Sequence, residues 1–320
     1  MQTVDNRSLV LFLSGLAAAG AAVVIAVSCS DQPRNKCTAG RGQFNAVYLS
    51  PSGSMTGDCV LPGEILGVEA YNPPNSDRTN ADLSKGSIAI KAASLVAAND
   101  SHAGFEDMDP THNINSIGNF TTSEPGADDY CNVPTLNPSE VNVAFIPRVP
   151  PMPILDAGPD GPDATPEVPP VNGIDIKYAW SNVKVKVTPA FNGLALAGDL
   201  TLTTQTISEE TLEAGTGPAM CTATYRVVGL FNPNQIPCEK VIDEDAGTTG
   251  PDFCQCLPYA DPENGRPTGS GFAADLFAGQ PGDPNQACEK GDAQRMSLEG
   301  QSKVTCHPDL HLCVLKAELP

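Results

Sequence analysis

Eleven cysteines among 320 residues constrain this chain more than any other feature, because an odd number cannot pair completely. They stand at Cys29, Cys37, Cys59, Cys131, Cys221, Cys238, Cys254, Cys256, Cys288, Cys306 and Cys313. One sulfur must therefore have a different fate, or the chain stays reduced. The residues around Cys29 decide between these.

From Leu9 to Val27 every residue is apolar or small except Ser14. As a helix at about 1.5 Å per residue this stretch would reach roughly 28 Å, enough for a membrane anchor. Its second half, "GLAAAGAAVVIAVS", is instead rich in small residues, as near a signal-peptide cleavage point. No basic cluster follows to stop transfer, since Asp31 comes before Arg34. Ala26-Val27-Ser28-Cys29 resembles the lipobox of bacterial lipoproteins. That resemblance implies a diacylglyceryl group on Cys29, cleavage before it and acylation of the new amino terminus. Ser30 after the cysteine resembles lipoproteins sent to the outer membrane. Several acyl chains together make a stable anchor where one holds reversibly. An uncleaved anchor and a plainly secreted protein are the alternatives.

Setting Cys29 aside leaves ten cysteines, which five cystines would absorb in an oxidising compartment. Between Pro147 and Pro170, nine of 24 residues are proline, too extended a composition to bury a core. Three of the ten cysteines precede this segment and seven follow it, so full pairing requires at least one bridge across it. The expectation is a loop slung across one covalently tied body. Cys131 is the candidate for the crossing, with Cys37 and Cys59 pairing locally.

Strand-like alternation appears in "GQFNAVYL", "GSIAIKA" and "VNVAFI", and most clearly in "IKYAWSNVKVKVTP", "LALAGDLTLTTQT" and "CTATYRVVGLF". Aromatic residues are few, while 29 glycines and 30 prolines favour short strands and many turns. After Cys238 apolar sequence thins and turns separate the cysteines, ending in a hairpin pattern, "KVTCHPDLHLCVLK". The fold class expected is mainly β: an antiparallel sandwich-like body with a loop-rich, disulfide-stapled C-terminal region. Its parts are a signal peptide (1–28), a lipid-anchored tether (29–40), a β-rich half (41–146), a Pro-rich acidic loop (147–172), a second β-rich half (173–237) and the cysteine-rich region (238–320).

Candidate chemistry weighs against bland readings. Cys254, Cys256, Cys306, His307, His311 and Cys313 could hold zinc, but they lack paired C-x₂-C spacing and structural cystines suit an exported chain better. A redox pair at Cys254 and Cys256 lacks both the usual spacing and a thioredoxin-like context. Asp107 and Asp109 alternate as in a calcium loop, yet His112 and Gly118 stand where glycine and glutamate belong. "DEDAG" at 243–247 packs carboxylates without a ligand ladder. Ser181 and Lys184 match S-x-x-K, but plain strand alternation would put them on opposite faces. Gly269-Ser270-Gly271 with Ala274 is a degraded dinucleotide fingerprint. Asn99 and Asn119 fit a glycan acceptor pattern, a coincidence in a bacterial chain. Tyr178 and Trp180 share a strand face and could stack on a sugar, or form core.

No catalytic residue, cofactor or metal is expected. The net charge of −20 repels nucleic acid and anionic head groups. The reading is an exported protein, lipid-anchored at the bacterial outer membrane, with a non-enzymatic structural or interaction role. Its partners would be the membrane, through the acyl anchor, and other envelope proteins or surface polysaccharide. A carbohydrate-binding sandwich and an envelope hydrolase without a linear motif are the alternatives. An exposed aromatic shelf at Tyr178 and Trp180 would favour the first, and a cleft of converging carboxylates or histidines the second.

Overall fold

Six of the strands announced by alternation, and three more, assemble into one antiparallel sheet. The computed structural model describes residues 35–38, 41–53, 59–100, 113–151, 167, 169–188, 192–213, 215, 220–243, 245, 247–264, 266–277, 288 and 292–320. Cys29, its lipobox, Asp107, Asp109 and His112 lie outside the described residues. Contacts divide the chain into Met1–Asn35 and Lys36–Pro320, and the second unit is the one described here.

Strands β1 (Arg41–Gly53), β2 (Gly63–Tyr71), β3 (Ser87–Ala92) and β4 (Ser116–Asn119) form one meander, with helix α1 (Ala93–Asp100) between the last two. Strands β5 (Tyr130–Thr135) and β6 (Ser139–Val143) lie end to end along one edge of β7 (Gly173–Val187), each pairing with it antiparallel. A second meander runs from β7 through β8 (Asn192–Ile207) to β9 (Met220–Phe231), and β9 pairs with β1.

The two outer edges of this sheet meet. Asn137 N donates to Ile117 O at 2.8 Å, Thr121 N to Asn132 O at 2.9 Å and Glu140 N to Asn113 O at 2.8 Å. These bonds lay β4 antiparallel along β5 and β6, so the sheet closes on itself with eight strand positions. A barrel of that size is just filled by its inward side chains. Phe44, Leu66, Ile88, Val133, Val141, Trp180, Leu200 and Tyr225 fill it, all buried in one cluster. The sandwich-like body thus consists of facing walls of a single closed sheet, which removes the exposed edges an open sheet would carry.

The middle of β1, the first part of β8 and the last part of β9 are buried on both faces, as near-continuous apolar sequence requires. Inside, Phe44, Ala46 and Tyr48 of β1 face the barrel core. Outside, Val47, Ala195, Ala197, Val228 and Leu230 pack against Phe253, Leu257, Phe272, Phe277 and Leu315 of the cysteine-rich region. That region carries two hairpins: β10 (Glu239–Asp243) with β11 (Thr248–Pro251), and β12 (Val304–Cys306) with β13 (Cys313–Leu315). Asn45 Nδ2 donates to Cys313 O at 2.9 Å and fastens the cover to β1. The final residues are strapped to the barrel wall. Tyr130 Oη donates to Leu319 O at 2.8 Å, and Glu318 pairs with Lys184 and Arg226.

All ten cysteines after Cys29 pair, as the arithmetic requires, but with a different crossing. Cys37 bonds Cys131, and Cys59 bonds Cys221 across the Pro-rich segment. The expected local Cys37–Cys59 pair and the Cys131 crossing are both incorrect. The reason is topological: β5, beginning beside Cys131, closes the barrel next to β4. Ser123 O, just after β4, accepts from Cys37 N at 3.0 Å, which brings Cys37 to Cys131. Cys59, in the β1–β2 connection, meets the start of β9 because β9 pairs with β1. In the cover the pairs are Cys238–Cys306, Cys254–Cys288 and Cys256–Cys313. The Pro-rich segment is pinched at its base, where Ile146 and Val171 exchange backbone hydrogen bonds at 3.0 Å.

Candidate functional site

Two polar features stand out against the apolar barrel. The first lies inside one end of it. Glu64, at the start of β2, accepts at Oε1 from Tyr48 Oη at 2.5 Å and Tyr178 Oη at 2.8 Å. Its Oε2 accepts from Ser94 N at 2.8 Å, within the first turn of α1. The Ser94 hydroxyl lies 2.8 Å from Oε2 and 2.6 Å from Tyr178 Oη, and its single proton serves one of them. Burial, then the Glu64 charge, pushes both tyrosine hydroxyls well above their usual range. They therefore act as donors and not as bases. Both carboxylate oxygens are committed to the protein. This node docks α1 on the barrel end and leaves no acceptor for a substrate.

The second feature is a groove of about 410 Å³ on the outer face of β1–β4, a size within the range of small-molecule sites. Register makes it a row across four strands. Gln43 lies opposite Gly67, Gly67 opposite Lys91, and Lys91 next to Asn115, which precedes the Ile90–Ser116 pair. Glu69 and Ala89, directly opposite each other, line the next row. Gly67 forms the low point, because no side chain rises there. Gln43, Glu69, Lys91 and Asn115 have no side-chain hydrogen bond or ion pair among the described residues. By contrast, outward charges around β7–β9 are paired: Lys177 with Glu140, Lys184 with Glu318, and Arg226 with Asp199 and Glu318.

The residues singled out in the sequence fall elsewhere. Tyr178 and Trp180 are 0% and 3% exposed and belong to the barrel core, so they form no stacking shelf. Inward alternation along β7 puts them there, and Tyr178 is spent on Glu64. Ser181 and Lys184 do not sit on opposite faces. Three steps along β7 match two along β8 between the Ser181–Asp199 and Lys184–Ala197 pairs. This β-bulge, with Asn182 at φ +49°, returns both side chains to the outer wall. Lys184 is nonetheless taken up by Glu318 and the Tyr130 ring, 4.4 Å away.

The sulfurs of Cys238, Cys256 and Cys313 lie within 4.8 Å of one another, as a metal cluster would. They are neighbouring cystines packed together and so offer no thiolate. His311 faces Glu239 at 3.3 Å instead. Gly269 serves packing: a Cβ there would stand 2.0 Å from Pro258 O. Asn119 accepts from Ser87 Oγ at 2.8 Å in the β3–β4 pair. No helix among the described residues is long and apolar enough to cross a membrane.

Sequence reasoning missed both polar features. Nothing local marks Glu64 as the meeting point of β1, β7 and α1. The groove did leave a trace in "GEILGVEAY", where a glycine interrupts a strand pattern.

Comparison with known protein families matches residues 42–232 to MlpA, a lipoprotein-type family name. The chain belongs to the MlpA family. The matched span begins at the second residue of β1 and ends one residue beyond β9, so it coincides with the closed barrel. Residues 233–320, with three of the five cystines, lie outside it. No curated protein and no solved structure matches the chain.

Proposed function

We propose that this MlpA-family protein is an exported lipoprotein, acylated at Cys29 and held at the outer membrane, that acts as a non-enzymatic interaction module of the cell envelope. The observation that carries the reading is the pairing of all ten later cysteines into five cystines, which leaves Cys29 as the odd one of the eleven. Such pairing belongs to an oxidising compartment. The lipoprotein-type family name points the same way. The interaction role draws support from the asymmetry of the barrel wall: β1, β8 and β9 are covered by the protein's own C-terminal region, whereas the β1–β4 face presents unpaired polar groups.

Metabolic labelling with an azido-fatty acid tests the anchor. The wild-type chain takes up label and fractionates with outer membrane; Cys29→Ala loses the label and keeps its leader. Equal labelling and equal mass in the variant would remove the lipoprotein reading.

A further inference from the structure

We propose that the groove centred on Gly67 is a binding site for a saccharide. Gly67 is a glycine that the backbone does not need. Its φ lies outside the left-handed region, unlike that of Gly42 or Gly63, and its pairings with Gln43 and Lys91 are regular on both sides. A Cβ built there meets only Lys91, at 3.7 Å and 3.9 Å, which is ordinary contact. Glycine inside a strand is unfavourable, and it often marks a bulge, a tight bend at a barrel corner, or a close approach of another backbone or a ligand. Pairing at Gly67 runs without a register shift, and no second backbone crowds it. What the missing side chain provides is the open floor of the groove.

The chemistry of the walls selects the ligand class. Gln43 and Asn115 each offer a carboxamide with donors and an acceptor, Lys91 offers donors and Glu69 acceptors. All four heads lie around one low floor, and none is spent on another side chain or backbone group among the described residues. Such mixed donors and acceptors match vicinal hydroxyls, each of which both gives and takes a hydrogen bond. The lining supplies an apolar surface for a C–H face, the methyl of Ala89 within it, and Ile117, opposite Ala89 on β4 and 38% exposed, stands beside the groove. No pocket for a large apolar anchor is present among these residues, as a peptide ligand would use. A net charge of −20 disfavours a polyanion, so the saccharide is neutral.

The proposal deepens the interaction role above and rests on it only for where the sugar comes from. Binding in solution is independent of Cys29, so the two can fail separately. The test uses the oxidised mature chain with chito-, malto- and cello-oligosaccharides and with purified neutral envelope polysaccharide, by saturation-transfer NMR and calorimetry. Gly67→Val and the double variant Lys91→Ala/Asn115→Ala are measured beside it. The expected result is binding of at least one saccharide, weakened tenfold or more in both variants, while Gly67→Val melts at the same or a higher temperature. Binding of short oligosaccharides would assign recognition to the sugar unit itself, and binding of the polymer alone to a chain laid across the groove. Should Gly67→Val misfold, the double variant, which leaves the strand backbone unaltered, decides. No binding of any probe to the folded wild-type chain overturns the proposal, as does undiminished binding in the variants.

Discussion

Removing the cystine that crosses the Pro-rich segment tests the closed-barrel architecture most directly. Cys59 and Cys221 are 162 residues apart in sequence, whereas Cys254 and Cys288 are separated by 34. The chain-entropy relation assigns about 5 kcal/mol to the longer loop and about 4 kcal/mol to the shorter. The Cys37–Cys131 bond shortens the effective longer loop, which removes only about 0.3 kcal/mol because loop entropy varies logarithmically. Location widens the difference. Cys59 and Cys221 are both buried against the barrel core, and Tyr225 Oη bonds to Cys59 O there, so their loss loosens the start of β9. Cys254–Cys288 lies in the cover. Trp180, the sole tryptophan, is buried inside the barrel and reports its unfolding by fluorescence. Cys59→Ala/Cys221→Ala is therefore expected to lower the melting temperature of this signal by roughly 10–20 °C, at about 2–4 °C per kcal/mol. Cys254→Ala/Cys288→Ala should lower it by less. An equal or larger loss in the second pair would refute the assignment of the crossing bridge as the main constraint on the barrel.

Two further perturbations follow from named contacts. Glu64→Ala deprives Tyr48, Tyr178 and Ser94 N of their acceptor and should cost about 3 kcal/mol in urea unfolding, since a buried donor left unpaired costs about 1–3 kcal/mol. Glu64→Gln, which keeps one acceptor oxygen, should cost less; a Glu64→Ala chain as stable as wild type would show that α1 docks without the carboxylate. Burial, and after it the Glu318 and Asp128 charges, raise the Tyr130 phenol to about 12 from 10.0. The neutral phenol is thus favoured by the fold, and its contribution is complete below pH 10 and disappears as pH rises through about 12. Tyr130→Phe should abolish the part of the alkaline loss in stability centred at about pH 12 and remove one tyrosine titrating there from an ultraviolet titration. Persistence of both would place the effect on another group.

Much of the fold was legible along the chain because strands announce themselves by period. Phe44, Ala46 and Tyr48 share the inward face that alternation assigns them, and Val183, Val185 and Val187 do the same. Cysteine parity required a bridge across the prolines before any partner was known. Parity counts sulfurs without locating them, so it could not tell Cys59 from Cys131. Alternation likewise could not foresee the extra residue near Asn182, which returns Lys184 to the face of Ser181.

The sequence by itself determined the β class, the oxidised pairing of ten thiols and the separate character of the last third, because period, parity and composition are local properties. Tertiary structure alone decided that the sheet closes, that Tyr178 and Trp180 turn inward, and that Gln43, Gly67, Lys91 and Asn115 fall in one row. Strand register brings together residues 24 positions apart on successive strands here, and register is fixed by the packing of the whole barrel, which no single segment encodes.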